Sequence, residues 1–284
     1  MLNARSFILL NPMPVEVDML NPCDDFIPTE VTIGHASTPR GMLKIGGGAP
    51  TAVISPLMSA SLESLTSEIA DVAGAQPDLI EWRVDPLLAS VQASEREGLL
   101  RTGLKLVMDQ SPLPLLATIR TATEGGLVDL SDAQYADFLA ILSTFADAVD
   151  LEICRPGAFD IVEEIHEAGS IAVASHHDFA RTPSAVDIDR VFALMAKAGA
   201  DVLKVAYMTH RPEDALRIMD AQVRASRTYA LPVIGIGMGE FGAITRICGQ
   251  TFANAATFAS ASSSSAPGQL SVGETRRGLV TLQR

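Results

Sequence analysis

Basic side chains are in short supply in this chain: 21 Lys and Arg stand against 34 Asp and Glu, a formal net charge of −13. With no basic stripe to neutralise phosphates, nucleic acid is excluded as a partner. Any anionic small molecule must be held by a few particular arginines, not by the overall field. Cysteine is nearly absent. Cys23, Cys154 and Cys248 are widely separated, odd in number and free of metal-ligand spacing. That excludes a disulfide framework and a zinc site, and fits free thiols in a reducing cytoplasm. No apolar run approaches the ~20 residues of a membrane span, and "SFILLNPMPVEVDML" is too short and broken for a secretory core. A cytoplasmic location without a membrane partner is expected.

What is present is a repeat. Residues 1–30 carry Asn-Pro twice without periodicity and read as a poorly ordered extension, leaving 31–284 as a single catalytic domain. "VTIGHASTPRGMLKIGGGAP" suggests a short β-hairpin. From Thr51 onward an apolar strand, a turn and an amphipathic helix recur every ~25–35 residues, the size of a βα unit. The strands are "TAVISPLM", "DLIEWRVDP", "LPLLATIR", "AVDLEIC", "IAVASHHDF", "DVLKVAYM", "LPVIGIGMG" and "ATFASA". Between them, Leu62, Leu65, Ile69 and Val72 form one helical stripe. Phe138, Leu142 and Phe145 form another behind a Ser131–Gln134 capping box. Ile188, Val191, Phe192 and Met195 form a third, with Gly199 at its C-terminal cap. Eight units make a (β/α)₈ TIM barrel the expected fold. A doubly wound sheet is disfavoured, because "ISPLMSASL" stands where a G-x-G-x-x-G should follow the first strand.

A barrel gathers function at the C-terminal ends of its strands, and the polar residues fall there. Glu81, Arg83 and Asp85 alternate and so share a face. Arg120 ends the third strand, with Glu124 close behind; Asp150 and Glu152 lie on the fourth; His176, His177 and Asp178 end the fifth. Structural roles remain open for single members: Asp85 as a turn cap, and Asp150 as a bridge to Arg83. Lys204 is the outlier, a lone ammonium in the apolar "GADVLKVAYM", costly to desolvate unless paired, neutral or covalently occupied. Burial beside other cations would make it a nucleophile for a ketone or aldehyde; pairing with Glu152 or Glu81 is the structural alternative. His177 is the natural proton carrier, oriented by Glu124, while His176 points to the opposite face. His35, His166 and His210 have nothing to recommend them. Arg246 and the Ser-rich loop "SASSSSAPGQL", with Ser265 and Gln269, are the anion-binding and lid candidates.

Taken in order, "EWRVD", "RTATEGG", "DLE", "SHHDF", "LKVAYM", "ITR" and "SAPGQ" resemble the type I 3-dehydroquinate dehydratases from about Val31 to Arg284. The resemblance implies a (β/α)₈ barrel needing no metal or organic cofactor. It implies dehydration of 3-dehydroquinate to 3-dehydroshikimate, within the shikimate pathway, through an imine on Lys204. By the same resemblance His177 is the general acid and base, paired with Glu124. Glu81, Arg83 and Arg120 hold the hydroxyls and ketone end; Arg246, Ser265 and Gln269 hold the carboxylate; Met238 packs on the ring; Ser55 ends the first strand. Relatives are often dimers, so a homodimer is expected. His176, Glu240 and Phe241 depart from the family pattern. A class I aldolase and a ligand-sensing barrel without turnover are the rival readings.

Overall fold

The computed structural model describes residues 27–261 and 269–282. A hairpin comes first, β1 (Val31–Gly34) antiparallel to β2 (Met42–Ile45). Strand and helix then alternate: β3 (Ala52–Leu57), α1 (Leu62–Gly74), β4 (Leu79–Arg83), α2 (Asp85–Ala89), α3 (Arg96–Gln110), β5 (Leu115–Thr118), α4 (Asp132–Ser143), β6 (Ala148–Glu152), α5 (Ala158–Glu167), β7 (Ile171–Asp178), α6 (Ala185–Lys197), β8 (Val202–Met208), α7 (Pro212–Tyr229), β9 (Val233–Met238), β10 (Ala256–Phe258) and α8 (Val272–Leu282). The eight strands from β3 onward are parallel, in the order β10-β3-β4-β5-β6-β7-β8-β9. Ala255 N–H donates to Val233 O at 2.8 Å, and this contact between the ends of that order makes it a TIM barrel.

Strand alternation sorts the barrel side chains into two sets. Outward residues such as Ile80, Trp82, Val149, Leu151, Leu203 and Val205 join the helix stripes in one large core. Inward residues Ile54, Leu79, Leu116, Val173, Val202 and Ile234 fill the N-terminal half of the cylinder. That apolar floor would meet water at the open end. Ile33 and Ile45 of the hairpin close it, each only 2% exposed and each contributing roughly 2 kcal/mol of transfer free energy. Arg40 clamps the hairpin loop to the barrel through two bonds to Asp147, at 3.1 and 3.2 Å.

The expected helix ends and caps form for the reasons given. The Ser131–Gln134 capping box starts α4, and Gly199 follows α6 at φ +84°, a left-handed conformation that suits glycine. Two expectations need correction. Phe145 does not extend the α4 stripe: the helix stops at Ser143, and Phe145 is 57% exposed. Asp85 is not on the strand wall; it opens α2. Ahead of the hairpin, Thr29 N–H bonds Ala230 O and Gly47 N–H bonds Pro28 O. Residues 1–26 lie outside the described residues.

Candidate active site

Above the apolar floor, the inward positions turn polar toward the C-terminal strand ends. Glu81 and Arg83 come from β4, Asp150 and Glu152 from β6, Ser175 and His177 from β7, and Lys204 from β8, with Thr118 and Arg120 from β5 and the residues just after it. Register explains the grouping. Ser175 lies level with Lys204, and Glu152 level with Ser175, so three neighbouring strands deliver polar residues to one layer. A cavity opens on this layer, with Glu81, Arg83, Arg120, His177, Lys204 and Arg246 in its wall. A larger cavity beside the starts of β3 and β10 has no titratable side chain in its lining and offers no chemistry.

Lys204 is 4% exposed. Its Nζ donates to Asp150 Oδ2 at 2.9 Å, lies 3.6 Å from Glu81 Oε1, and sits 4.5 Å above the Phe258 ring. The expected surroundings of cations are therefore replaced by carboxylates and an aromatic face. The ion-pair partner is Asp150, rather than Glu152 or Glu81 alone. Asp150 does not bridge to Arg83 either. Its Oδ1 accepts from Arg120 Nη2 at 2.5 Å and Ser175 Oγ at 2.7 Å. Burial works to raise the Asp150 carboxyl, but Arg120 and Lys204 outweigh it and hold it down at about 2.

Arg120 organises the carboxylates. Its Nη1 donates to Glu124 Oε2 at 3.1 Å and to Glu152 Oε1 at 3.3 Å. Glu152 in turn receives Thr121 N–H at 2.8 Å and Thr121 Oγ1–H at 2.7 Å, which fixes the loop carrying Glu124. Arg83 is spoken for by Asp85, which accepts from its Nε and Nη2 at 2.8 and 2.9 Å. Asp85 thus has a structural part and also accepts from Leu127 N–H.

Glu124 meets His177 twice: Oε2 lies 2.9 Å from Nδ1 and accepts the His177 backbone N–H at 3.1 Å. Burial pushes the Glu124 carboxyl up to about 8, with Arg120 opposing and Glu152 and Asp150 reinforcing. Burial, then Arg120, Lys204 and Arg83, push the His177 imidazole well below its ordinary value. The charge balance adds to the rise at Glu124. Glu81, Glu124, Asp150 and Glu152 face only Arg120, Lys204 and, at 3.6 Å from Glu152, Arg155, so one negative charge is in excess. The Glu124–His177 pair relieves it by keeping a proton to about 8. His176 faces outward, its Nδ1 3.0 Å from the Tyr207 hydroxyl.

Arg246 ends a 3-10 turn over residues 240–246 and is 1% exposed. Its Nη1 donates to Phe258 O at 3.2 Å; among the described residues its Nε and Nη2 have no partner. Burial lowers this guanidinium to about 10. A desolvated, half-satisfied guanidinium facing a cavity is suited to a carboxylate. Met238 joins the same wall. Ser55 does not. It shares an outward face with Val53 and Leu57, which pack toward α8 and α1, while Pro56 takes the inward place beside Glu81. Gln269 is half-buried just before α8, and Ser265 lies outside the described residues. Sequence reasoning missed Phe179, Ile236 and Phe258, which complete the apolar wall. Counting two residues back from Met238 finds Ile236, and two on from Ala256 finds Phe258.

The family model for type I 3-dehydroquinase matches residues 53–284. The 3-dehydroquinate dehydratase of Salmonella typhimurium is 34% identical over 251 residues, covering 85% of this chain and 96% of that protein. Two solved structures superpose closely. The 3-dehydroquinate dehydratase of Geobacillus kaustophilus has a TM-score of 0.80 at 31% identity, over 90% of this chain and 97% of that one. A type I 3-dehydroquinate dehydratase of Clostridium difficile with covalently modified comenic acid has a TM-score of 0.78 at 29% identity, over 90% and 98%.

Proposed function

This chain belongs to the type I 3-dehydroquinase family and is a hydro-lyase of the 3-dehydroquinate dehydratase class, and we propose that it works through an imine on Lys204 within the shikimate pathway. The observation that carries the proposal is that Lys204, the Glu124-backed His177 and the unpaired Arg246 face one cavity.

The substrate carboxylate accepts from Arg246 Nε and Nη2, which sets the ring between Met238 and Phe258 with its ketone toward Lys204. Lys204 passes a proton to His177 and its Nζ adds to the ketone carbon; His177 returns the proton to the carbinolamine oxygen, which leaves as water and gives a protonated imine. That cation is an electron sink and acidifies the neighbouring C–H bond. His177 Nε2 removes the proton, with Glu124 holding Nδ1, and the electrons pass into an enamine. Expulsion of the β-hydroxyl follows, and His177 returns its proton to the departing oxygen. Water hydrolyses the conjugated imine, freeing 3-dehydroshikimate and Lys204. Arg120 is too committed to carboxylates to hold the ring; its part is to place Glu124. Glu81 and Arg83 stand where ring hydroxyls would lie. Much of the rate gain comes from this fixed orientation.

Borohydride added with 3-dehydroquinate should leave a stable adduct on Lys204, detected by peptide mass spectrometry. Lys204→Ala and His177→Ala should each abolish the ultraviolet absorbance rise of the conjugated enone. An adduct on another residue, or activity surviving both changes, defeats the assignment.

A further inference from the structure

We propose that Asp150 is the fixed counter-ion of the imine nitrogen at Lys204, keeping that nitrogen cationic while the neighbouring C–H bond is broken. The inference rests on the imine reading above and adds a residue to it.

Asp150 is wholly buried and stands behind the residues of the cavity wall. It nevertheless touches the reacting nitrogen, at 2.9 Å. Its other oxygen is held by Arg120 Nη2 and Ser175 Oγ, so the carboxylate cannot swing away when the lysine changes state. Because these donors stabilise its charge, Asp150 is a poor proton acceptor and an enduring anion.

During turnover Nζ passes from ammonium to amine to iminium. The first and last are cations, and an anion at hydrogen-bond distance in a dry site favours both over the neutral forms. The iminium is the useful one: a neutral imine withdraws electrons weakly and leaves the C–H bond unreactive. The Phe258 ring face, 4.5 Å from Nζ, works in the same direction. No proton moves onto Asp150 at any step; the N–H of the iminium takes the place of an N–H of the ammonium on Oδ2. Asp150 also joins nucleophile to base. The path Lys204–Asp150–Arg120–Glu124–His177 runs through contacts of 2.9, 2.5, 3.1 and 2.9 Å.

Asp150→Asn tests this, because it keeps the size and removes the charge. The borohydride adduct on Lys204 should drop sharply and kcat should fall about a hundredfold. Binding of the analogue with the ketone reduced to an alcohol, which cannot form an imine, should stay within about twofold. The rising limb of the kcat/KM profile should also move to lower pH, because Asp150 helps to hold the proton on the Glu124–His177 pair. If analogue affinity falls in step with kcat, Asp150 merely shapes the pocket and the proposal is overturned. Unchanged kcat and adduct yield overturn it equally. Should the variant fail to fold, Ser175→Ala removes one bond to Oδ1 and should cost kcat about fivefold with analogue binding intact; unchanged kcat there also overturns the proposal. If wild-type enzyme forms no adduct at Lys204, the imine reading itself has failed. If wild type traps and Asp150→Asn traps as well, only this inference has.

Discussion

Replacing Arg246 with methionine should weaken substrate binding and raise stability together. The guanidinium is 1% exposed and donates to Phe258 O, with Nε and Nη2 unpaired among the described residues. Burial brings it down to about 10. At 1.36 kcal/mol per pKa unit, that fall corresponds to roughly 3 kcal/mol as the cost of burying the charge. A carboxylate accepting from Nε and Nη2 recovers this cost and adds charge-assisted bonds. Methionine fills similar space without charge, so about 3 kcal/mol of binding should go, a rise in KM and in analogue Kd of about a hundredfold. The free enzyme should meanwhile gain about a third to two-thirds of the same cost. At ~2–4 °C per kcal/mol for a domain of this size, the unfolding midpoint should climb by ~2–8 °C. The enone absorbance assay gives KM, and scanning calorimetry gives the midpoint. A lower midpoint with unchanged KM would show that Arg246 is a satisfied structural residue, and the carboxylate argument would be refuted.

Two further predictions concern how the base and Arg246 are held. The proton kept by Glu124 and His177 blocks the base, so kcat/KM should rise with pH and level off above about 8. In Glu124→Gln the pair can no longer hold that proton on the carboxyl. His177, held low by burial, then sets the limb, which should shift acid-ward while kcat drops about a hundredfold or more; a limb fixed near 8 would take Glu124 out of the titration. At Gly242 an added Cβ would lie 2.2 Å from the Gly237 carbonyl carbon on β9, so Gly242→Ala must push the turn carrying Arg246 away from the barrel. KM should rise about tenfold with ~1–3 kcal/mol of stability lost to chemical denaturation, and an unchanged KM would detach the placement of Arg246 from that contact.

How far the site could be read beforehand depended on the range of the contact involved. Alternation along a single strand is local, and it correctly put Glu81 with Arg83, Asp150 with Glu152, and His177 opposite His176. Where a strand stops is less local. Asp85 was assigned to the wall because Glu81-x-Arg83-x-Asp85 continues the period, but Pro86 after it suits the first turn of a helix, and β4 ends at Arg83. Ser55 came from the resemblance alone, and the register of β3 on β4 sets Pro56 level with Glu81 and turns Ser55 outward.

The role of Asp150 lay furthest out of reach. Asp150 and Lys204 are 54 positions apart, on strands separated by β7, and nothing along the chain says that their tips meet. An expectation of neighbouring cations therefore misses the carboxylate that touches the lysine. The error matters chemically. Cationic neighbours would favour the free amine that attacks, whereas an anionic neighbour favours the iminium that activates the C–H bond. This barrel holds the second arrangement, so its charge layout is better matched to the elimination than to the first addition. The slow step under saturating substrate should accordingly be formation of the imine or its hydrolysis, and deuterium at the carbon attacked by His177 should leave kcat almost unchanged; a large isotope effect on kcat would contradict that ordering.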